Sequence, residues 1–254
     1  MSGNEFSAEP SHSIATERSQ VGSPERLDFY KDHNFYILHG NFQSEVPTWA
    51  KQFRQFLTEK GAPEDNIHVP HLKHLLANYR SWRKDSKLPR KSEDSRKAIV
   101  IAHSSGAEMA LVYAEHHKVS GMILLAPTDR ANTGGIVGTL LSPFEKASGM
   151  YIKSKPRKNI IFRRMKREFK WDRIVSNCGF IVVVHATGDI RLVPEIYSKN
   201  VYDKLKEASR KLLDSETEEK GAEVVYVSVV GNGHNPEMRQ FAQIISQISP
   251  LSLK

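Results

Sequence analysis

The sequence predicts a single α/β domain, a three-layer sandwich around a mostly parallel sheet, and three observations carry that expectation. Short apolar runs alternate with longer stretches of helical period, as strand-helix-strand units require. The runs Ile99-Val100-Ile101 and Ile181-Val182-Val183-Val184 are apolar at every position, which suits strands covered on both faces. At 254 residues the chain is long enough to bury a substantial core without disulfides or metal.

Taken in order, residues 1–27 are rich in Ser, Glu, Gly and Pro and poor in apolar residues that offset the entropy of ordering, so a disordered tail precedes a folded domain over 28–254. Strands are expected at 35–38, 67–69, 98–102, 121–125, 180–184 and 223–230. Helices are expected at 47–60, 105–117, 194–213 and 235–248, with one more inside a basic segment. The acidic run 214–220 reads as a solvated loop. No repeat at a solenoid period interrupts this plan.

Composition narrows the setting. No apolar run approaches the roughly 18 residues of a membrane span, and the N-terminus has no apolar stretch of the secretory kind. The sole cysteine, Cys178, has no intramolecular partner for a disulfide. A soluble intracellular protein is expected, in the cytoplasm ahead of the nucleus. The formal charge of +8 is local: residues 146–173 hold eleven Lys or Arg against Glu168 and Asp172, a net +9 that leaves the rest near −1.

Ala102-His103-Ser104-Ser105-Gly106 follows the strand Ile99-Val100-Ile101 directly and precedes a helical stretch. A serine on a sharp strand-to-helix turn needs small residues two before and two after it, and Ala102 and Gly106 supply them for Ser104. Ser105 is the rival nucleophile, with a less suitable flanking pair. The helix N-terminus directs backbone N–H groups and partial positive charge towards the serine, so the N–H of Ser105 suits a developing oxyanion. The second donor is expected from the backbone of Asn41, in Leu38-His39-Gly40-Asn41 after the first strand.

A serine hydroxyl needs a base. Among eleven histidines, His234 in Gly231-Asn232-Gly233-His234 lies between the last strand and the last helix, where this type of site presents its histidine. The orienting acid must fall between serine and histidine at a strand end. Asp189, in Ala186-Thr187-Gly188-Asp189, fits, with Asp129 in Pro127-Thr128-Asp129 as runner-up. His68, His71 and His74 repeat at steps of three, but Pro70 breaks the first interval and no carboxylate or cysteine completes the set nearby, so neither metal nor cofactor is expected.

Together these residues resemble the retinoblastoma-binding-protein-9-like serine hydrolases, which include the bacterial YdeN-type proteins, over roughly residues 34–248. The resemblance rests on Ile37-Leu38-His39-Gly40, on His103-Ser104-Ser105-Gly106-Ala107 and on Tyr113-Ala114-Glu115. It continues with Trp171-Asp172-Arg173-Ile174 leading to Asn177-Cys178, then Asp189 and Gly233-His234. It implies the α/β-hydrolase fold, a triad of Ser104, Asp189 and His234, and activity on ester or amide bonds of undefined substrates, carboxylesterase-like or amidase and peptidase-like. Retinoblastoma-pocket binding is not expected, because the cysteine lies in Ser176-Asn177-Cys178-Gly179-Phe180 and not in a Leu-x-Cys-x-Glu motif. Asp189 is followed by Ile190-Arg191 where the family usually has proline.

Residues 134–170 are longer than the family's equivalent and fall where such folds insert a cap over the site. Ile161, Met165 and Phe169 recur every four residues, with Arg163, Arg164, Lys166 and Arg167 on other faces, the pattern of a basic amphipathic helix. A cap helix packed on the body is the first expectation. Contact with an anionic membrane surface comes second and with nucleic acid third. The other function class in view is a non-catalytic protein of the same fold that binds through this segment.

Overall fold

The computed structural model describes residues 29–40, 45–72, 83–90, 92–127, 168–189, 195–215, 221–231, 233, 235 and 237–246. The expected tail at 1–27, and nearly all of the expected cap with its helix, lie outside them.

Each of the six apolar runs forms a strand: β1 (Asn34–Leu38), β2 (Ile67–His68), β3 (Ala98–His103), β4 (Val119–Leu125), β5 (Cys178–Ala186) and β6 (Glu223–Val229). They make one sheet in the order β2-β1-β3-β4-β5-β6, with every neighbouring pair parallel. The helices are α1 (Thr48–Glu59), the single turn α2 (Ser92–Ser95), α3 (Ser105–Ala114), α4 (Trp171–Ser176), α5 (Glu195–Leu213) and α6 (Met238–Ser246).

Strand alternation divides the core. Ile99 and Ile101 of β3, Ile123 and Leu125 of β4, and Val182 and Val184 of β5 face α1 and α6, where Trp49, Phe53, Leu57, Phe241 and Ile244 cover them. Ala98, Val100 and Ala102, with Met122, Leu124, Ile181 and Val183, face the other way, against α3, α4 and α5. The β3 residues on that second face are small, which lets α3 lie close, and Gly106, Ala107 and Ala110 of the helix match them. The stretches Tyr113-Ala114-Glu115 and Trp171 to Asn177 meet in space. The buried Glu115 carboxylate accepts the Lys170 N–H at 3.0 Å at the start of α4, and the Asn177 side chain donates to the Ala114 carbonyl at 2.8 Å. Cys178 opens β5 opposite Val119 and is buried, which pushes its thiol pKa up.

The strand order also marks one place on the sheet. From β1 the chain leaves through α1 on one face to reach β2, whereas from β3 it leaves through α3 on the opposite face to reach β4. Connections that part to opposite faces make the carboxyl ends of β1 and β3 a topological switch point, the place where open α/β sheets bind ligands. His39-Gly40 and His103-Ser104 stand at those two ends.

Candidate active site

Ser104 links β3 to α3 with φ 55° and ψ −125°, backbone that costs a residue with a Cβ about 1–3 kcal/mol. Its neighbours hold it there. The Ser104 N–H donates to the Leu125 carbonyl at 2.9 Å, and the Ser104 carbonyl accepts the Ala107 N–H at 2.9 Å. The result is a serine turned out of the line of its strand at the switch point. Ser105 is the first residue of α3 and is buried. The turn depends on close approach: a Cβ on Gly106 would lie 2.8 Å from the His39 carbonyl oxygen and 3.0 Å from that of Leu38. Ala102, at the other small position, is buried between Leu38 and Leu124 in the sheet.

The loop after β1 presses on the same serine. A Cβ on Gly40 would fall 3.0 Å from Ser104 Cβ and 3.4 Å from Ser104 Oγ. Asn41, next in sequence, lies outside the described residues. Buried His39 locks the loop: its Nε2 accepts the Leu72 N–H at 3.1 Å, so its proton resides on Nδ1, which donates to the Gly40 carbonyl at 2.8 Å. Burial lowers the His39 pKa, opposed by the Gly40 bond and reinforced by His71, which favours the neutral ring this geometry needs. The sequence marks His39 only as part of a turn. A ring bonded 33 residues away leaves no local signal.

Asp189 lies just past β5, buried, with its N–H donating to the Ala186 carbonyl at 2.9 Å. Two strand-end bonds set this edge beside its neighbours: Ala126 N–H to Val184 at 2.9 Å and Thr187 N–H to Val229 at 3.0 Å. The start of α5 braces it further. Ser198 Oγ donates to the Pro127 carbonyl at 3.3 Å, and the Tyr226 hydroxyl of β6 donates to Glu195 at 3.1 Å. His185, on the same strand end and buried, has its pKa lowered by desolvation against the opposing pull of Glu195 and Asp189. The runner-up acid, Asp129, lies outside the described residues.

After β6 the chain passes through Val230 and buried Gly231 towards α6. His234 lies outside the described residues, between Gly233 and Asn235. So do Arg163, Arg164, Lys166 and Arg167. The structure therefore brings Ser104 and the Gly40 loop into contact and sets Asp189 on the same edge of the sheet, two strands away.

Other histidines take structural places. His103 packs edge-on to Trp49, with ring centroids 5.4 Å apart. His68 stacks on Tyr36 at 4.6 Å, His71 lies 6.3 Å from His39, and His74 is outside the described residues. Among the described residues no group of three His, Cys, Asp or Glu is arranged to hold a metal ion, and no helix is long and apolar enough to cross a membrane.

Residues 35–150 match the model of the serine hydrolase family. The chain is 31% identical over 93 residues to serine hydrolase RBBP9 of Rattus norvegicus, an alignment covering 37% of this chain and 38% of that protein. Among solved structures it is similar to the ydeN gene product of B. subtilis, with a TM-score of 0.54 and 17% identity, covering 87% of this chain and all of that one. A thermostable carboxyl esterase from Bacillus coagulans also has a TM-score of 0.54, with 12% identity over 87% of this chain and 91% of the esterase. The fold is that of the α/β-hydrolases.

Proposed function

We propose that this chain is a serine hydrolase that cleaves an ester or amide bond through an acyl-enzyme at Ser104. The observation that carries the reading is the Ser104 backbone, held at φ 55° at a topological switch point with Gly40 against its Cβ. Positive φ at a residue with a Cβ is strained, and a strained serine on a sharp strand-to-helix turn is the backbone form that a nucleophilic serine of this kind needs. A serine with only a structural role gains nothing from that arrangement.

In the proposed cycle Ser104 Oγ attacks the substrate carbonyl carbon as His234 takes the hydroxyl proton. The carbonyl π pair moves onto oxygen, where the N–H groups of Ser105 and Asn41 receive the charge. Collapse of that intermediate expels the leaving group, which takes the proton from His234 and leaves the acyl group on Ser104. Water activated by His234 then releases the acid and restores the serine. Asp189 keeps the imidazole in the tautomer that presents Nε2 to Ser104. The resemblance to an esterase supports an ester as the first substrate class to try, and a simple p-nitrophenyl ester suits a site of unknown acyl preference.

Labelling with a fluorophosphonate probe tests the reading. The parent protein is expected to label covalently and the Ser104→Ala variant not to label at all. Equal labelling of both removes Ser104 as nucleophile and points to another, Ser105 first, whereas no labelling of a well-folded parent favours a non-catalytic binding role for the fold.

A further inference from the structure

We infer that Gln240 is a positioning residue for the proposed base, clasping the two ends of the loop that carries His234. The inference rests on the hydrolase reading above. Gln240 is the third residue of α6 and is 3% exposed. Its Nε2 donates to the Val230 carbonyl at 2.8 Å, where the chain leaves β6, and its Oε1 accepts the Glu237 N–H at 2.9 Å, just before α6 begins. One side-chain amide therefore spans residues 230–237 from end to end. The partners fix its orientation, because the reverse amide would set NH2 against N–H and oxygen against oxygen.

The Glu237 bond is half of a helix capping box, in which a glutamine three residues into a helix reaches back to the N-cap N–H. A cap alone does not account for Nε2, which bonds ten residues away in the chain, across the loop. Gly231 shows how tightly the clasp is built. A Cβ there would sit 2.4 Å from Gln240 Nε2 and 3.4 Å from Ala186 Cβ. Ala186 in turn holds the Asp189 N–H through its carbonyl. The space beside Gly231 is thus bounded by Gln240 on one side and by Ala186, whose carbonyl holds the turn of the proposed acid, on the other, so the clasp anchors residues 230 and 231 next to the strand end that leads to Asp189. Misplacing a catalytic group by about 1 Å costs on the order of 100-fold in rate.

The test measures p-nitrophenyl acetate hydrolysis by the full chain and by Ser104→Ala, His234→Ala, Gln240→Leu and Gly231→Ala variants, with thermal melts alongside. Leucine keeps the bulk of glutamine and loses both bonds, while alanine at 231 drives a methyl into Nε2. Either variant is expected to lower kcat about 10- to 100-fold with KM within about threefold. Gln240→Leu added to His234→Ala is expected to change the residual rate less than about twofold, since the clasp acts only through the histidine. A near-parent rate in folded Gln240→Leu, or an equal loss with and without His234, overturns the proposal. If Gln240→Leu does not fold, Gly231→Ala decides by the same criteria. Substantial activity in Ser104→Ala or His234→Ala instead sinks the triad itself, a separate failure read from separate variants.

Discussion

At the end of β3 the chain is held by its backbone, and at the end of β6 by a side chain. Around Ser104 the contacts are strand-end hydrogen bonds, carbonyl oxygens and missing side chains: Leu125 takes its N–H, Ala107 gives one to its carbonyl, and Gly40 and Gly106 leave room. Between Val230 and Glu237 the two ends are joined through the Gln240 amide. A backbone-built turn tolerates change at most side chains but not added bulk at its glycines. A side-chain clasp tolerates change everywhere except at the clasp and the surface it rests on. The proposed nucleophile is thus held by backbone geometry, while the loop of the proposed base is spanned by one side chain.

The largest expected effect sharpens the backbone half of that contrast. Ser104→Ala lowers kcat/KM for p-nitrophenyl acetate by about 10,000-fold or more, with an unchanged melting temperature. Ser104→Gly is equally inactive but is expected to be about 1 kcal/mol more stable than Ser104→Ala in urea, because glycine accepts φ 55° without strain. Equal stability of the two would mean that the turn stores no strain.

Next in size is Gly106→Val, whose Cβ meets backbone oxygen at 2.8 Å and which is expected to cost about 1–3 kcal/mol together with most activity. Gly233→Ala is its counterpart in the base loop. A Cβ there meets nothing within 4 Å, so a loss below about 0.5 kcal/mol is expected. Similar losses from both in denaturant titrations would erase the distinction between the two regions.

His39→Phe leaves the Leu72 N–H without its acceptor and is expected to cost about 1–2 kcal/mol at pH 7.5. The pH dependence has a definite sign. The folded His39 pKa lies below 6.5, so the unfolded chain binds the proton more readily, and stability present above pH 6.5 is lost as pH falls through the folded value. His68, His117 and His185 are shifted the same way and add to the slope. Urea melts from pH 7.5 to 5 are expected to show the parent losing stability and His39→Phe losing less. Equal slopes would remove His39 as a contributor. Smallest is Tyr226→Phe, which loses one bond to Glu195 and is expected to cost at most about 1 kcal/mol, read from the same melts.

The six strands were legible because their signal is short-range: the apolar runs Ile99-Val100-Ile101 in β3 and Ile181-Val182-Val183-Val184 in β5 leave few alternatives. The sharp turn at Ser104 was legible because its constraint is steric and sits within two residues of the serine. Helix ends were less so. The last helix, expected at 235–248, runs Met238–Ser246, because the Gln240 side chain caps Glu237 and sets the start there. The short α4 was missed, since its N-terminus is satisfied by Glu115, 55 residues earlier. The same limit hid the roles of His39 and Gln240, whose ring and amide bond to residues the local pattern does not connect.

Cys178 gives the molecule a clock. As the sole thiol, buried where β4 meets β5, it is shielded and protonated in the folded state, so an aromatic disulfide reagent reacts with it only when this end of the β4–β5 pair opens. The rate of colour release, followed without any engineered label, therefore times the opening of the sheet where β5 begins. Comparing that rate with the rate of ester hydrolysis lost on heating would separate breathing of the scaffold from disarray of the loops above it.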